Sequence, residues 1–359
     1  MDLKRLFSGQ RNVFGLDIGS SYIKAVQLHR DESGYNVMAA GRVEVVQDDN
    51  DDHAKIDNLV TAIRKCVKSA QIKTKYAVCG VCGPNVAVRR FEFSTVGAKG
   101  IDQMVLAEAE QVCPFDQGQF IIDYQLIHNG RVNLEELGNS RQKNKTLGVL
   151  VAATTDIIGR KNQLARAASL NCVLMDVDGL ALLNCFLECE KLKHGKAIAI
   201  LSFGNAFTNL VISPENGLPF VRDIPHGADE IIDRISGEYN LSSQAVRNEL
   251  YSSPDKDKNA GKFRSSIETG TTKLIGDIKK TLRYYAAQGG NAIDKMFVCG
   301  DFAQADGFVE SLNNRLGLEV VLWNPFDKIR RDVDAQGAKI LQEHGCSLAV
   351  ATGLAMRTI

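Results

Sequence analysis

The chain has 359 residues, of which 44% are hydrophobic and 24% are charged, and this composition excludes a disordered or fibrous protein. Lys and Arg together number 43, as do Asp and Glu, so the formal net charge is zero. Binding of nucleic acid through an overall positive charge is therefore disfavoured. No apolar run approaches the roughly 18–20 residues that cross a bilayer. At roughly 150 residues per domain, the length predicts about two domains.

The nine cysteines are an odd number, and the first residues carry charge without the apolar stretch of a signal peptide. We therefore expect free thiols in a reducing cytosol. Cys79 and Cys82 form a C-x-x-C motif, but zinc would need two further ligands at matching spacing. A buried structural pair is the favoured interpretation.

The first half opens with strands predicted over residues 13–18, 22–30 and 35–46. The short turns between them indicate an antiparallel start rather than a β-α-β unit. Apolar residues then recur at helical spacing over residues 56–70. The further elements predicted in this half are strands over 76–81, 86–93, 120–127, 146–154 and 173–177 and helices over 101–112, 156–169 and 179–192.

The second half begins as the first does, with strands over 197–201 and 208–213 joined by a turn at 202–205. Both halves place a strand before a tight glycine turn, and a second strand leads away. This repetition implies two related α/β domains with a cleft between the turns. The further elements predicted here are strands over 221–224, 295–299 and 319–322 and helices over 228–238, 241–250, 267–288, 305–315 and 347–356.

The first glycine turn carries residues suited to holding a phosphate. Gly19 lets the backbone approach closely, and Ser20 and Ser21 offer hydroxyl and N–H donors. Asp17 is a candidate magnesium ligand, and Lys24 can reach back across a hairpin. Taken alone, this motif is also typical of an ordinary turn.

The chain as a whole resembles the PilM family, the actin-like cytoplasmic components of type IV pilus assembly, which are related to the cell-division protein FtsA. The most specific segment is Glu-Ala-Glu-Gln-Val-Cys-Pro-Phe at residues 108–115, which belongs to the family's extra subdomain. The other resembling segments are residues 14–24, 88–93, 151–153, 176–181, 224–227 and 324–326.

This resemblance implies an actin-like fold, a duplicated ribonuclease H-like α/β architecture with two domains around a nucleotide cleft. Domain 1 would span residues 1–195, with the extra subdomain inserted at about 83–150 and a C-terminal helix at 345–358 returning to it. Domain 2 would span residues 196–344.

The resemblance also implies ATP and Mg²⁺ in the cleft. The nucleotide-binding residues carried over are Asp17, which would also hold the metal, Gly19, Ser20, Ser21, Lys24, Gly204, Asn205, Gly227 and Gly300.

Several positions depart from the family pattern where nucleotide chemistry is expected. Ser202 stands where the second turn normally carries an aspartate, and a hydroxyl is a poorer partner for hydrated magnesium. Asp301 and Phe302 replace two glycines of the adenosine turn, adding negative charge and bulk. In the family, acidic and lysine residues of the helix that corresponds to 241–250 usually hold the ribose and the base. Their counterparts are not recognisable in this sequence. We therefore expect at most trace ATP hydrolysis, and an enzymatic role is disfavoured.

The leading functional interpretation is a scaffold at the cytoplasmic face of the inner membrane. It would bind the N-terminal cytoplasmic peptide of the membrane protein PilN and other components of the pilus machine, and no nucleic acid. Candidate groove residues are Val88, Arg89, Arg90 and Val105. The simpler interpretation of Arg89 and Arg90 is that one of the two lies on the solvent-exposed face of a strand. The alternatives are an ATP-switched or weakly hydrolysing protein and a filament-forming cytoskeletal protein.

Overall fold

The computed structural model describes residues 12–47, 52–94, 100–116, 118–127, 145–251 and 261–358. The strands are β1 (Phe14–Ile18), β2 (Tyr22–Asp31), β3 (Gly34–Glu44), β4 (Tyr76–Val81), β5 (Val86–Ser94), β6 (Phe120–Ile127), β7 (Lys145–Thr154), β8 (Asn171–Val177), β9 (Ala197–Phe203), β10 (Thr208–Pro214), β11 (Phe220–Ile224), β12 (Ile293–Cys299), β13 (Val320–Leu322) and β14 (Arg330–Arg331). The α-helices are α1 (Asp52–Ser69), α2 (Ile101–Val112), α3 (Thr155–Ala167), α4 (Asp178–Cys189), α5 (Ala228–Tyr239), α6 (Ser243–Tyr251), α7 (Arg264–Gly270), α8 (Thr272–Ala287), α9 (Phe308–Leu316), α10 (Ala335–His344) and α11 (Ala349–Ala355).

By packing, the chain divides into two units. The first comprises Met1–Val81, Ile158–Cys189 and Asn324–Ile359, and the second comprises Cys82–Ile157 and Glu190–Trp323. The segment predicted as an insertion in domain 1 therefore packs within the second unit, and residues 324–344 pack within the first. The domain boundaries at 1–195 and 196–344 stay a prediction.

The first unit is built on a six-stranded sheet with the strand order β14-β3-β2-β1-β4-β8. Strands β1, β2 and β3 are antiparallel neighbours, whereas β4 and β8 continue the sheet in parallel from β1. Phe14, Leu16 and Ile23 are fully buried on one side together with Ile63 of α1. This alternation of inward side chains is what the period-2 pattern of the opening strands predicts.

The second unit contains a five-stranded sheet with the order β11-β10-β9-β12-β13. Its first three strands are antiparallel, and β12 and β13 continue in parallel from β9. Strand order and directions thus repeat those of β3-β2-β1-β4-β8. The repetition inferred from the two opening segments is therefore present in the fold.

The second unit also contains a three-stranded antiparallel sheet with the order β5-β7-β6. Helix α2 packs on one face, where Val105 and Ala109 are fully buried. They share a core with Ala87, Phe91 and Leu150 of the sheet. This small core is separate from that of the five-stranded sheet.

The prediction of a single helix over 267–288 is wrong, because the chain forms two helices, α7 and α8, with a break at Thr271. The Thr271 side chain is fully buried and its hydroxyl donates to the carbonyl of Glu268 at 3.0 Å. The same hydroxyl lies 3.2 Å from that of Ser311. Such side-chain bonds to the backbone compete with a continuous helix.

Further elements differ from the sequence prediction, among them three helices in the second half of the chain. Helices α9 and α11 begin later than predicted, each after a 3₁₀ turn, at Asp301–Gln304 and Gly345–Leu348 respectively. Helix α10 was not predicted at all. It begins where the Asp334 carboxylate accepts a hydrogen bond from the backbone N–H of Gly337 at 2.7 Å, which is an ordinary N-cap.

None of the nine cysteines is in a disulfide bond. Cys79 is fully buried, but Cys82 is only half-buried, so the expectation that both lie in the interior holds for Cys79 alone. Within the described ranges, none of the helices combines the length and apolar character needed to cross a bilayer.

Helix α11 packs so closely on the six-stranded sheet that backbone atoms of the two are in contact. A Cβ atom at Gly15 of β1 would overlap the carbonyl oxygen of Ala351 in α11. In the same way, a Cβ atom at Gly353 of α11 would overlap the carbonyl oxygen of Ala181 in α4. The contact of β1, α11 and α4 therefore depends on glycine.

We expect Gly15→Ala to lower the free energy of unfolding by about 1–3 kcal/mol or more, because the added methyl group must displace backbone. The matched control is Gly159→Ala in α3, where an added Cβ meets nothing within 4 Å. That change should stabilise the protein by about 0.5–1 kcal/mol through helix propensity. Denaturant unfolding of both variants measures the difference, and equal effects would contradict the packing argument.

Candidate functional site

The turn between β1 and β2 places an ion pair next to a tight glycine bend. The backbone N–H of Gly19 donates to the carbonyl of Tyr22 at 3.1 Å, and a Cβ atom at Gly19 would lie 2.8 Å from that oxygen. Asp17 and Lys24 face each other in the register of the two strands. Their carboxylate and ammonium groups are 3.3 Å apart.

The remaining groups at this turn differ in exposure. Ser20 is exposed, whereas Ser21 is buried, so the two predicted hydroxyls are not equivalent. Lys161 of α3 donates through Nζ to the carbonyl of Ile18 at 2.7 Å. This second ammonium group was not predicted, because only the tertiary packing of α3 brings it to the turn.

The turn between β9 and β10 repeats this backbone geometry without its charges. The N–H of Gly204 donates to the carbonyl of Phe207 at 3.1 Å. Ser202 and Asn209 pair across the strands in the positions that Asp17 and Lys24 occupy in the first unit. Asn209 instead donates through Nδ2 to the Asp223 carboxylate at 2.7 Å.

Asn205 and Gly227 are in direct backbone contact beside this turn. A Cβ atom at Gly227 would overlap the carbonyl oxygen of Asn205. The buried Arg247 of α6 donates to Asn205 Oδ1 at 3.3 Å and to Asp229 Oδ1 at 2.6 Å. Burial raises the pKa of the Asp229 carboxyl, and the Arg247 guanidinium opposes that shift. Arg247, which the sequence did not single out, thus holds the loop of Asn205 to the start of α5.

Gly300 closes β12 with a positive φ of 109°, and a Cβ atom there would overlap the carbonyl oxygen of Phe203. The expectation that Phe302 adds bulk at the nucleotide turn is wrong. Its side chain is fully buried, with ring centroids 5.6 Å from Phe203 and 5.3 Å from Phe308. Asp301 is buried as well.

These residues fit a magnesium-bound nucleotide in part. In the first unit, Asp17, Lys24 and Ser20 supply a carboxylate, an ammonium group and a hydroxyl, which suit a metal-bound phosphate. In the second unit, the equivalent strand positions are the neutral Ser202 and Asn209. Among the residues that the structure describes, no group of three or more His, Cys, Asp or Glu side chains could hold a metal ion unaided. ATP with Mg²⁺ stays a prediction.

A groove of about 470 Å³ runs between the three-stranded sheet and the edge of the five-stranded sheet, within the second unit. Three of the four predicted partner residues, Val88, Arg89 and Arg90, line it, and strand β11 and helix α8 form the other walls. Val105 of α2 does not line the groove, because its side chain is fully buried between α2 and the three-stranded sheet. The other lining residues are Gly83, Pro84, Val86, Pro219, Phe220, Val221, Arg222, Asp223, Tyr284 and Gln288.

One end of the groove is closed by a buried hydrogen-bond cluster. The N–H of Gly83, which has a positive φ of 94°, donates to Asp223 Oδ2 at 2.6 Å. The other carboxylate oxygen accepts from Asn209. Burial raises the pKa of the Asp223 carboxyl, while both hydrogen bonds favour its ionised form. At the other end, the Arg90 guanidinium lies over the ring of Phe220 at 5.7 Å.

Comparison with known proteins supports one family over nearly the whole chain. The family model for type IV pilus assembly protein PilM matches residues 15–359. A solved PilM-PilN type IV pilus biogenesis complex shares 21% identity with a TM-score of 0.76, covering 97% of this chain and 98% of that chain. A search of curated proteins finds no match.

Two further solved structures share the fold at lower similarity. The ethanolamine utilization protein EutJ from Carboxydothermus hydrogenoformans has 14% identity and a TM-score of 0.52, covering 96% of this chain and 88% of that one. A diol dehydratase-reactivating factor in nucleotide free form has 11% identity and a TM-score of 0.50, covering 95% and 98% respectively. The predicted actin-like α/β fold is confirmed. With its family model matched from residue 15 to the last residue, the chain belongs to the PilM family of type IV pilus assembly proteins.

Proposed function

We propose that this protein is a scaffold of type IV pilus assembly that binds the N-terminal cytoplasmic peptide of a PilN-type inner-membrane protein. The observation that carries the proposal is the placement of Val88, Arg89 and Arg90 along one open groove. The likeness to a PilM-PilN complex supports a partner of this class. Through that partner, the protein would sit at the cytoplasmic face of the inner membrane.

Strand β5 has the properties of a peptide-docking strand. It lies at the edge of its sheet, and within the described residues its only strand partner is β7. An edge strand presents unpaired N–H and C=O groups, to which an extended peptide can add. Beneath it, α2 fills the small core and stabilises the sheet. The sheet would therefore serve as a rigid platform for the peptide.

A second candidate function is a nucleotide-dependent switch, which the ion pair of Asp17 and Lys24 beside Gly19 favours. In that case Asp17 would hold Mg²⁺, and Lys24 and Ser20 would contact phosphate oxygens. The metal would supply charge neutralisation of the phosphates.

We expect the purified protein to hydrolyse ATP at no more than a trace rate. The physical reason is that Ser202 supplies no second carboxylate to hold hydrated magnesium or an attacking water. A steady-state phosphate-release assay with and without Mg²⁺ measures this. Ser202→Asp should raise the rate, while Ser202→Ala should leave it unchanged. Robust magnesium-dependent turnover by the unaltered protein would overturn the expectation.

We expect a synthetic PilN-type N-terminal peptide to bind the unaltered protein and to bind Val105→Asp at least tenfold more weakly. A charge placed in the α2 core costs several kcal/mol, on the order of the stability of a small subdomain. Asp17→Ala should change the affinity by no more than about twofold, because it leaves the groove intact. Isothermal titration gives the affinities, and circular dichroism reports the fold of each variant.

The opposite pattern of affinities would favour the nucleotide-dependent switch. If Asp17→Ala abolishes binding while folded Val105→Asp binds normally, nucleotide controls the partner surface and the scaffold proposal is wrong. If the peptide binds neither variant nor the unaltered protein, the proposed partner is wrong.

A further inference from the structure

We infer that Lys161 of α3 binds a phosphate group of a nucleotide at the turn between β1 and β2. The second candidate function, the nucleotide-dependent switch, is the basis of this inference, because both concern the same turn. Lys161 would add a positive charge that the ion pair of Asp17 and Lys24 does not supply.

The turn lies at the carboxyl end of β1. Strands β1, β4 and β8 run parallel to one another in the six-stranded sheet. In open α/β sheets, ligands bind in the space beyond the carboxyl ends of the parallel strands. Ile18 is the last residue of β1, and its carbonyl oxygen accepts a hydrogen bond from Lys161 Nζ at 2.7 Å. The ammonium group is therefore held at the edge of the sheet where a ligand is expected.

Lys161 lies on the side of α3 that faces the sheet. Leu164 and Ala165 follow it by three and four residues, so the three share one face of the helix. Ala165 is fully buried in the core of the first sheet, and Leu164 packs against that core. Lys161 itself is half-buried. A lysine is rare on the buried side of a helix, because withdrawing an ammonium group from water costs free energy unless an anion pairs with it.

The described residues leave the charge of Lys161 without an anion. An ammonium group has three N–H donors, and one of them is used by the carbonyl of Ile18. Among the residues that the structure describes, Lys161 forms no ion pair with a carboxylate. The ammonium group of Lys24, by contrast, is 3.3 Å from the Asp17 carboxylate, so these two charges offset each other. The excess positive charge at the turn therefore belongs to Lys161.

A phosphate group matches what the turn leaves available. Its oxygens are negatively charged acceptors, and charge-assisted hydrogen bonds are roughly twice as strong as neutral ones. The exposed Ser20 next to the Gly19 bend offers a hydroxyl and a backbone N–H. With the remaining donors of Lys161, these groups would hold a phosphate from two elements that are distant in sequence. Lys161 would thus be a binding residue and not only a support for the backbone of Ile18.

Isothermal titration of the full chain with ATP, ADP and AMP in the presence of Mg²⁺ tests this contact. Lys161→Met removes the ammonium group, and we expect it to weaken ATP binding at least about tenfold. The loss should be smaller for ADP and smallest for AMP, because fewer phosphates carry less negative charge. Lys161→Gln keeps an N–H donor for Ile18 without the charge and should behave in the same way. Lys65→Met, which removes an exposed lysine from α1, is the matched control and should leave all three affinities unchanged.

The outcomes separate phosphate binding from a purely structural role of Lys161. If both variants weaken ATP, ADP and AMP by the same factor, the lysine only supports the turn and the inference is wrong. Unchanged ATP affinity in either Lys161 variant, with its fold verified by circular dichroism, would overturn the inference while leaving the nucleotide switch intact. If the unaltered protein binds none of the three nucleotides, the inference and the nucleotide switch both fail, and the proposed scaffold function is unaffected.

Discussion

The hydrogen bond from a glycine N–H to the carbonyl three residues later sets the geometry of both halves of this protein. It joins Gly19 to Tyr22 in the first unit and Gly204 to Phe207 in the second, at 3.1 Å in each. A Cβ atom at Gly204 would lie 2.7 Å from the Phe207 oxygen, so a side chain is excluded. The turn sets the register of the following strand pair and thereby decides which side chains face each other.

From this common backbone the two halves have diverged in chemistry. In the first unit, the facing pair is Asp17 and Lys24, which keeps the charges that a metal-bound phosphate requires. In the second, the facing pair is Ser202 and Asn209. The Asn209 side chain turns to the Asp223 carboxylate, whose other oxygen holds the N–H of Gly83 at the closed end of the groove. A strand position that belongs to the candidate phosphate site in one half therefore helps to build the candidate partner groove in the other.

Local patterns were sufficient to predict most of the helices and strands, whereas the actin-like architecture was predicted from the family resemblance and the repeated openings. The helix over 101–112 and the strand over 120–127 match their predicted bounds because each has a clear period and nearby breakers. The break at Thr271 was missed because it depends on a contact with Ser311, forty residues away. Helix α10 was missed although Asp334 gives a local N-cap signal.

The candidate site likewise contains some features that the local sequence predicts and others that depend on tertiary packing. The glycine turns are contiguous in sequence and were predictable. The positions of Lys161 and Arg247 depend on packing between distant elements, so no local pattern signals them. The burial of Val105 could be predicted from the apolar face of α2, but whether that face also bordered the groove required the structure.

The arginines of the groove also bear on how the edge strands β5 and β11 are protected from pairing between copies. An exposed edge invites a second chain, and charged residues on the edge are a common protection against it. Arg89 and Arg90 on β5 and Arg222 on β11 would meet their own equivalents if two copies approached edge to edge, and like charges repel. A segment without positive charge escapes this repulsion. The same three side chains therefore disfavour edge-to-edge pairing of two copies, and their charge as well as the shape of the groove would contribute to the specificity of the proposed peptide site.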